Sequence, residues 1–283
     1  MKRFLSVFLS LFAGVYAFAG ISGFTCLDSR TVVFDTDSDA KMLLKLCSPS
    51  VVKIHYSFDG TFPSGMPTPA VVQEDLGDIK AEVNESGSMY ELFTPDLRIT
   101  LDKDPLVLRI YNSYQKVLLE TAPESFSKKE DFISASFVLP RDEHFFGLGE
   151  KGGLLDRRGA TFTMWNSDKP GYDVDEDPLY KSIPFYLSTR SYGLFFDNSY
   201  KTFFDFGDTK RDRTEISAYG GDMIFYIMAG TDYKDILGKY IHLTGKAVMP
   251  PKWALGFSVC RGLLTNEKLT REIAGKLRAL DIP

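Results

Sequence analysis

The chain has 283 residues and a formal net charge of −5, and 14% of its residues are aromatic. Proteins that bind nucleic acid normally carry a basic stripe, so this acidic balance argues against a nucleic-acid partner. The three cysteines form no CxxC pair and the three histidines are scattered, so we expect neither a protein-built metal site nor a cofactor.

The N-terminus has the three parts of a secretory signal peptide. Lys2 and Arg3 give a positive start, residues 4–16 are mostly apolar, and Ala17-Phe18-Ala19 supplies a cleavage site of small residues. The apolar run is shorter than the roughly 20 residues that span a bilayer. We therefore expect a signal peptide over residues 1–19, a secreted or periplasmic chain, and no stable membrane insertion.

The mature chain of about 260 residues is long enough to bury a core without a metal or a disulfide. Cys26 and Cys47 are nevertheless candidates for a disulfide in an oxidising compartment. Cys260 lies in an apolar run, which favours a buried thiol.

Short runs rich in Val, Ile, Phe, Tyr and Thr, separated by clusters of Gly, Pro, Asn and Asp, fill residues 31–230. This spacing is typical of an antiparallel β-sandwich. We therefore predict a mainly β domain over residues 20–230, with strands at residues 51–56, 97–101, 106–111, 117–120, 132–139, 161–165, 193–197, 202–206 and 223–228.

The pattern becomes helical at Thr231, where acidic residues occupy the first turn and apolar residues recur at helical spacing until Gly245. We predict one amphipathic helix there, within a linking segment that covers residues 231–249.

Residues 250–283 have the pattern of a βα unit. Residues 252–260 are nearly all apolar, as in a strand buried on both faces. A helix is predicted from Thr265, and residues 281–283 look like the entry to a second strand. Such units belong to parallel sheets, and a full (β/α)₈ barrel takes about 250 residues. The expectation is a truncated barrel that begins at residue 250.

Residues 144–180 combine strands, glycine turns, aromatic side chains and many carboxylates. Trp165 ends a predicted strand, and the following run, Asn166-Ser167-Asp168-Lys169-Pro170-Gly171, suits a non-regular backbone. Trp165 offers an apolar face for a sugar ring and Asp168 offers a carboxylate for its hydroxyls. The competing interpretation is a solvated hairpin tip, and the acids of residues 173–177 favour a solvated turn over a catalytic pair.

Longer motifs follow one another along the chain. They are Leu106-Val107-Leu108-Arg109-Ile110-Tyr111, Phe146-Gly147-Leu148-Gly149-Glu150-Lys151, Met164-Trp165-Asn166-Ser167-Asp168, Asp177-Pro178-Leu179-Tyr180-Lys181-Ser182-Ile183-Pro184-Phe185, Gly193-Leu194-Phe195-Phe196-Asp197-Asn198 and Pro250-Pro251-Lys252-Trp253-Ala254-Leu255-Gly256-Phe257. In this order they resemble the family 31 glycoside hydrolases, which include α-glucosidases and α-xylosidases. The resemblance implies a galactose mutarotase-like sandwich followed by a (β/α)₈ catalytic barrel.

The resemblance also implies retaining hydrolysis of an α-glycosidic bond by two carboxylates about 5–5.5 Å apart. In the family both are aspartates on barrel loops well beyond the first strand, so no catalytic residue is assigned to this chain. The family's sandwich also sends a loop over the barrel mouth, and the aspartate of its Asn-x-Asp segment contacts the sugar.

Three substrate-binding residues are carried over by this resemblance. Asp168 matches the aspartate of the Asn-x-Asp segment, Trp165 precedes that loop as either a stacking or an anchoring residue, and Arg261 matches an arginine common after the first barrel strand. The chain departs from the family at Gly262-Leu263-Leu264, where aromatic residues are usual.

The leading hypothesis is therefore the N-terminal portion of a secreted retaining α-glycosidase that acts on α-linked oligosaccharides and is inactive without the rest of its barrel. The alternative is a non-catalytic carbohydrate-binding sandwich. A third hypothesis, sugar epimerisation, would need an acid and a base, and Glu143-His144 are a weak basis for it because adjacent strand residues point to opposite faces.

Overall fold

The computed structural model describes residues 20–63, 68–258 and 266–282. The predicted signal peptide, Cys260 and Arg261 lie outside the described residues. The chain divides into two compact units, Met1–Gly245 and Lys246–Pro283.

Within the described residues, the first unit contains two antiparallel sheets. The first consists of eight strands: β1 (Ile21–Cys26), β2 (Thr31–Thr36), β3 (Lys41–Ser48), β4 (Val51–Ser57), β11 (Phe145–Gly149), β13 (Ser182–Ser188), β14 (Tyr192–Phe196) and β17 (Met223–Ala229). The second consists of nine: β5 (Val83–Ser86), β6 (Met89–Phe93), β7 (Leu97–Lys103), β8 (Leu106–Asn112), β9 (Val117–Lys129), β10 (Phe132–Val138), β12 (Thr161–Met164), β15 (Thr202–Asp205) and β16 (Arg213–Ala218).

The strand order is β1-β2-β3-β4-β17-β14-β13-β11 in the eight-stranded sheet and β12-β15-β16-β10-β9-β8-β7-β6-β5 in the other. Each of the nine predicted strands overlaps an observed strand, so the prediction of a mainly β antiparallel fold is confirmed. The strand at residues 117–120 proved to be only the start of the longer β9.

The main hydrophobic core lies between the two sheets and draws side chains from both. Phe137 of β10 meets Phe225 of β17 edge to face at 5.6 Å between ring centroids, and Tyr56 of β4 stacks on Phe126 of β9 at 4.2 Å. Such aromatic pairs add to the free energy gained by burying their area. The high aromatic content therefore serves the core to a large extent.

A second apolar cluster lies on the outer face of the eight-stranded sheet, under helix α1 (Tyr233–Thr244). Ile236 and Leu243 of the helix are fully buried there, and Phe185 of β13 stacks on Tyr240 at 4.1 Å. Strand β17 is buried at every position because the core covers one face and this cluster the other. The predicted helix at residues 231–245 is thus present, with Asp232 as its N-cap.

The second unit differs from its prediction. Residues 252–258 form no strand, and Lys252–Leu255 make a short 3₁₀ helix whose Trp253 is 82% exposed. A parallel strand exists only when neighbouring strands take up its backbone hydrogen bonds, and no described strand pairs with this segment. The first βα unit of a barrel is therefore not observed here.

The helical half of that prediction is present as α2 (Glu267–Ala279). Asn266 is its N-cap, since its side-chain oxygen accepts the N–H of Leu269 at 2.9 Å. No residue of α2 is buried, and Asp281 and Ile282 do not enter a strand.

The suggested disulfide between Cys26 and Cys47 is wrong, because both thiols are free. Cys26 is exposed on the edge strand β1, whereas Cys47 is buried in β3 within the cluster under α1. Among the described residues, no helix has the length and apolar character needed to cross a bilayer.

Candidate functional site

The loop of residues 165–181 connects the two sheets. It leaves β12, the edge strand of the nine-stranded sheet, and returns through β13 into the eight-stranded sheet. It contains Trp165 and Asp168, and both are exposed. The loop therefore presents the two predicted contact residues at the rim of the sandwich.

The base of this loop is fixed by a buried ion pair. The ammonium group of Lys151, whose side chain is fully buried, lies 2.9 Å from Oδ1 of Asp177 and donates to the carbonyl oxygen of Thr163 at 2.5 Å. The other oxygen of Asp177 accepts the backbone N–H of Thr163. Asp177, interpreted from sequence as part of a solvated turn, instead clamps the loop to strand β12.

The tip of the loop is held by hydrogen bonds across its two arms. The phenol of Tyr180 donates to Oδ1 of Asp168 at 2.5 Å and accepts the N–H of Lys169 at 3.0 Å. The hydrogen bond to the carboxylate raises the pKa of Tyr180. Oδ1 of Asn166 accepts the N–H of Ser182 at 2.8 Å. The Asn-x-Asp segment thus has a defined shape, with Asn166 bonded to the far end of the loop and Asp168 exposed to solvent.

A cavity of about 350 Å³ lies beside the start of the loop. Its walls are formed by Met164, Trp165, Asn166, Ser182, Pro184, Asn198, Ser199 and Tyr200. Trp165 is 52% exposed and Tyr200 is 53% exposed, so each presents part of its ring to solvent. Asp168 does not line this cavity. The two predicted contact residues, Trp165 and Asp168, therefore lie at different places in the loop.

Sequence reasoning missed Tyr200. Its position depends on Asn198, whose Oδ1 accepts the N–H of Tyr200 at 2.8 Å and whose Nδ2 donates to the carbonyl of Gly220 at 2.9 Å. A Cβ at Gly220 would lie 2.8 Å from the Tyr200 ring, so glycine permits the close approach. The run Phe196-Asp197-Asn198-Ser199-Tyr200 could have indicated this position of Tyr200. An Asn, which suits a turn, stands two residues before the aromatic residue.

The glycine pair Gly147 and Gly149 is structural. A Cβ at Gly147 would lie 2.6 Å from the carbonyl oxygen of Phe185, and one at Gly149 would lie 2.0 Å from that of Lys181. Arg157, only 6% exposed, organises the following turns by donating to the carbonyl oxygens of Gly152 and Leu154, each at 2.8 Å. These residues shape the backbone under the loop.

Glu143 and His144 have separate partners. Oε1 of Glu143 accepts hydrogen bonds from the hydroxyls of Ser188 at 2.6 Å and Tyr192 at 2.9 Å, and burial raises the pKa of Glu143. Nδ1 of His144 instead lies 2.6 Å from Asp156, at a half-exposed position. The two side chains form no acid and base pair around a common space.

Two antiparallel sheets with a polar loop at the rim define a galactose mutarotase-like β-sandwich. The family model described as the glycosyl hydrolase 31 N-terminal galactose mutarotase-like domain matches residues 41–205. The chain belongs to glycosyl hydrolase family 31, of which it represents the N-terminal part.

Known proteins are similar over most of the chain. The α-glucosidase 2 of Bacillus thermoamyloliquefaciens is 34% identical over 250 residues, which are 84% of this chain and 32% of that protein. The solved structure of a family 31 dextranase from Flavobacterium johnsoniae, complexed with glucose, matches with 48% sequence identity and a TM-score of 0.86. The match covers 94% of this chain and 33% of the dextranase chain. A mutant of that dextranase is complexed with isomaltotriose. The chain thus spans about a third of these relatives.

Proposed function

We propose that this chain is the N-terminal portion of a secreted, retaining α-glycosidase, and that its loop of residues 165–181 contacts an α-linked oligosaccharide. The observation that carries the proposal is the fixed but exposed carboxylate of Asp168 on a family 31 sandwich. The α-glucosidase and dextranase relatives support the substrate class, because both names refer to α-linked glucose.

The geometry of Asp168 suits a sugar contact. Tyr180 occupies Oδ1, and no hydrogen bond from the described part of the chain reaches Oδ2. A carboxylate oxygen in this state accepts a hydrogen bond from a sugar hydroxyl without breaking an internal one. Trp165 would supply an apolar ring face, and Arg261 is proposed as a third contact by resemblance to the family.

The retaining reaction requires a nucleophile and an acid/base carboxylate. In the proposal both come from the part of a family 31 enzyme that this chain does not span, since its relatives are about three times longer. The purified chain is therefore expected to leave an aryl α-glucoside intact. Turnover by the chain, with contaminating glycosidases excluded by a mock purification, would contradict this part of the proposal.

The loop contact is tested by calorimetric titration with isomaltotriose. Asp168→Asn removes the carboxylate charge, and we expect the affinity to fall about 10-fold, as for the loss of one charge-assisted hydrogen bond. Asp173→Asn is the matched control, because Asp173 is an exposed acid in the same loop. Equal affinities for the wild type and Asp168→Asn would reject the contact.

Secretion has its own test. Expression in a host with a functional export pathway should give a mature N-terminus at Gly20, read by mass spectrometry. Retention of residues 1–19 in the exported protein would reject the proposed signal peptide.

The second candidate function is a carbohydrate-binding sandwich without catalysis. It is favoured by the cavity of about 350 Å³ between Trp165 and Tyr200, which lies wholly within the first unit. In this case isomaltotriose binding to the chain would be lost in Trp165→Ala and retained in Asp168→Asn. Weaker binding in Asp168→Asn would instead favour the loop contact.

A further inference from the structure

The outer face of the nine-stranded sheet carries three aromatic side chains that the loop of residues 165–181 does not use. Phe132 lies on β10, Phe203 lies on β15, and Tyr219 directly follows β16. These three strands are neighbours in the sheet. Ile133 and Phe204 point into the core, and successive side chains of a strand alternate between its two faces. Phe132 and Phe203 therefore lie on the face turned away from the core.

The three rings form one cluster, which we call the aromatic patch. The ring of Tyr219 meets that of Phe132 edge to face at 5.2 Å between centroids and lies 5.7 Å from that of Phe203. Tyr219 is 55% exposed, and the other two side chains are partly exposed. A contiguous exposed patch of large apolar side chains marks a binding surface, whereas single exposed ones need no explanation.

The floor under the rings consists of small polar side chains. Ser217 is the cross-strand neighbour of both Phe203 and Ser134, so all three lie on the outer face. Both serines are buried even though they lie on this face. The aromatic rings, and not these hydroxyls, are therefore the surface that an occupant would meet.

The charges around the aromatic patch restrict its occupant. Lys129 and Lys201 flank it, and the cross-strand pair Asp205 and Glu215 lies in the next row of the same face. The acids would repel an anion and the lysines a cation, so two positive and two negative side chains favour a neutral occupant. A pyranose fits this description, because its C–H face packs on an aromatic ring while its hydroxyls remain hydrated.

The aromatic patch begins at the base of the loop of residues 165–181. Thr163 of β12 is the cross-strand neighbour of Phe203. The N–H of Thr163 donates to Asp177 and its carbonyl accepts from Lys151, which are the contacts that fix the base of the loop. The two surfaces are thus neighbours on one molecule, and this continuity favours the same class of occupant for both.

We propose that the aromatic patch is a second carbohydrate-binding surface, which holds a neutral α-linked glucan chain by stacking pyranose rings on Tyr219 and Phe203. The choice of an α-linked glucan rests on the proposed function, whereas the patch itself includes neither Trp165 nor Asp168. Its role is to keep a polymeric substrate close to the loop, since a second attachment point raises the effective concentration of the chain.

The test is native gel electrophoresis of the full chain in gels that contain dextran, a polymer of α-linked glucose. The background carries Trp165→Ala and Asp168→Asn, which disable the loop site. Retardation by dextran is expected to persist in this background and to become about 10-fold weaker in affinity when Tyr219→Ala is added. Tyr114→Ala is the matched control, because Tyr114 is 89% exposed in the turn between β8 and β9 of the same sheet.

Two outcomes would overturn the proposal. One is a background protein that dextran no longer retards, and the other is equal retardation of the Tyr219→Ala and Tyr114→Ala variants. Isomaltotriose calorimetry on the wild type reports the loop contact, so failure of the aromatic patch and failure of the proposed loop contact are distinguishable.

Thermal unfolding separates a loss of binding from a loss of folding. If Tyr219→Ala melts well below the background protein, Phe203→Leu becomes the deciding variant, because leucine keeps an apolar side chain and removes the aromatic face. Phe93→Leu is its control, since Phe93 is 43% exposed on β6 of the same sheet. Weaker retardation in Phe203→Leu than in Phe93→Leu supports the aromatic patch, and equal retardation overturns it.

Discussion

The phenol of Tyr180 donates a 2.5 Å hydrogen bond to Oδ1 of Asp168 and accepts the N–H of the next residue, Lys169, at 3.0 Å. One hydroxyl thereby fixes both the side chain and the backbone at the tip of the loop. A residue twelve positions later in the chain determines where the candidate sugar-binding carboxylate points.

Tyr180→Phe should loosen the loop tip without unfolding the domain. The amide of Lys169 loses its acceptor, so its hydrogen exchange should become faster. The melting temperature should change by less than about 2 °C, because the site is at the surface. Tyr172→Phe is the control, since Tyr172 is 55% exposed in the same loop. Unchanged exchange at Lys169 would show that the tip is held by other contacts.

Lys151→Met should destabilise the fold by about 3 kcal/mol, because it leaves the carboxylate of Asp177 largely buried without its cation. Chemical denaturation gives the free energy of unfolding. Lys181→Met is the control, because it removes the ion pair between Lys181 and Glu150, in which both side chains are more than half exposed. An exposed pair contributes little, so this substitution should leave the free energy of unfolding unchanged. Equal effects of the two substitutions would argue against the buried pair as the loop clamp.

Acid should weaken the domain through Glu74. Burial alone would raise the pKa of Glu74, but hydrogen bonds from Lys45, Lys53 and Tyr226 outweigh it and lower the pKa from 4.5 to about 2. A lowered carboxyl pKa stabilises the folded state above about pH 5, and this contribution declines below 4.5 and is lost below about 2.

The measurement is the free energy of unfolding from pH 7 to pH 2. Glu74→Gln should lower stability at pH 7 and flatten its decline toward acid, whereas Glu150→Gln, at an exposed ion pair, should keep the wild-type profile. A wild-type acid profile in Glu74→Gln would contradict the prediction.

The two described cysteines should differ in reactivity. Burial raises the pKa of Cys47 to about 12, so very little thiolate exists at pH 8, whereas Cys26 is exposed. Iodoacetamide should label Cys26 in the folded protein and Cys47 only after unfolding, as read by peptide mass mapping. A Cys26–Cys47 disulfide in the oxidised protein would contradict the free thiols.

Gly193 should be intolerant of a side chain. A Cβ there would lie 2.7 Å from Ile236 of α1 and 2.9 Å from Phe185, so Gly193→Ala should push the helix off the sheet at a cost of about 1–3 kcal/mol. Gly238→Ala is the contrasting variant, because a Cβ there meets nothing within 4 Å and alanine favours the helix. Thermal unfolding should order the variants as Gly238→Ala above wild type above Gly193→Ala.

The sequence was a good guide to elements that carry their own pattern. Alternating apolar residues predicted strands such as β7, and an acidic first turn with a terminal glycine predicted α1. It failed at residues 252–258, because an apolar run indicates burial but not the neighbours that a strand needs. The Cys26 and Cys47 suggestion failed for a related reason, since pairing requires a proximity that spacing along the chain does not give.

By itself, the sequence determined the family, the mainly β fold and the loop that contains Trp165 and Asp168. Only the tertiary structure decided which groups meet. Asp177 holds the base of the loop because the buried Lys151 lies beside it. Tyr200 lines a cavity because Gly220 leaves room for its ring. Local patterns depend on neighbours in the chain, whereas these contacts depend on how two sheets pack, which no short stretch of sequence contains.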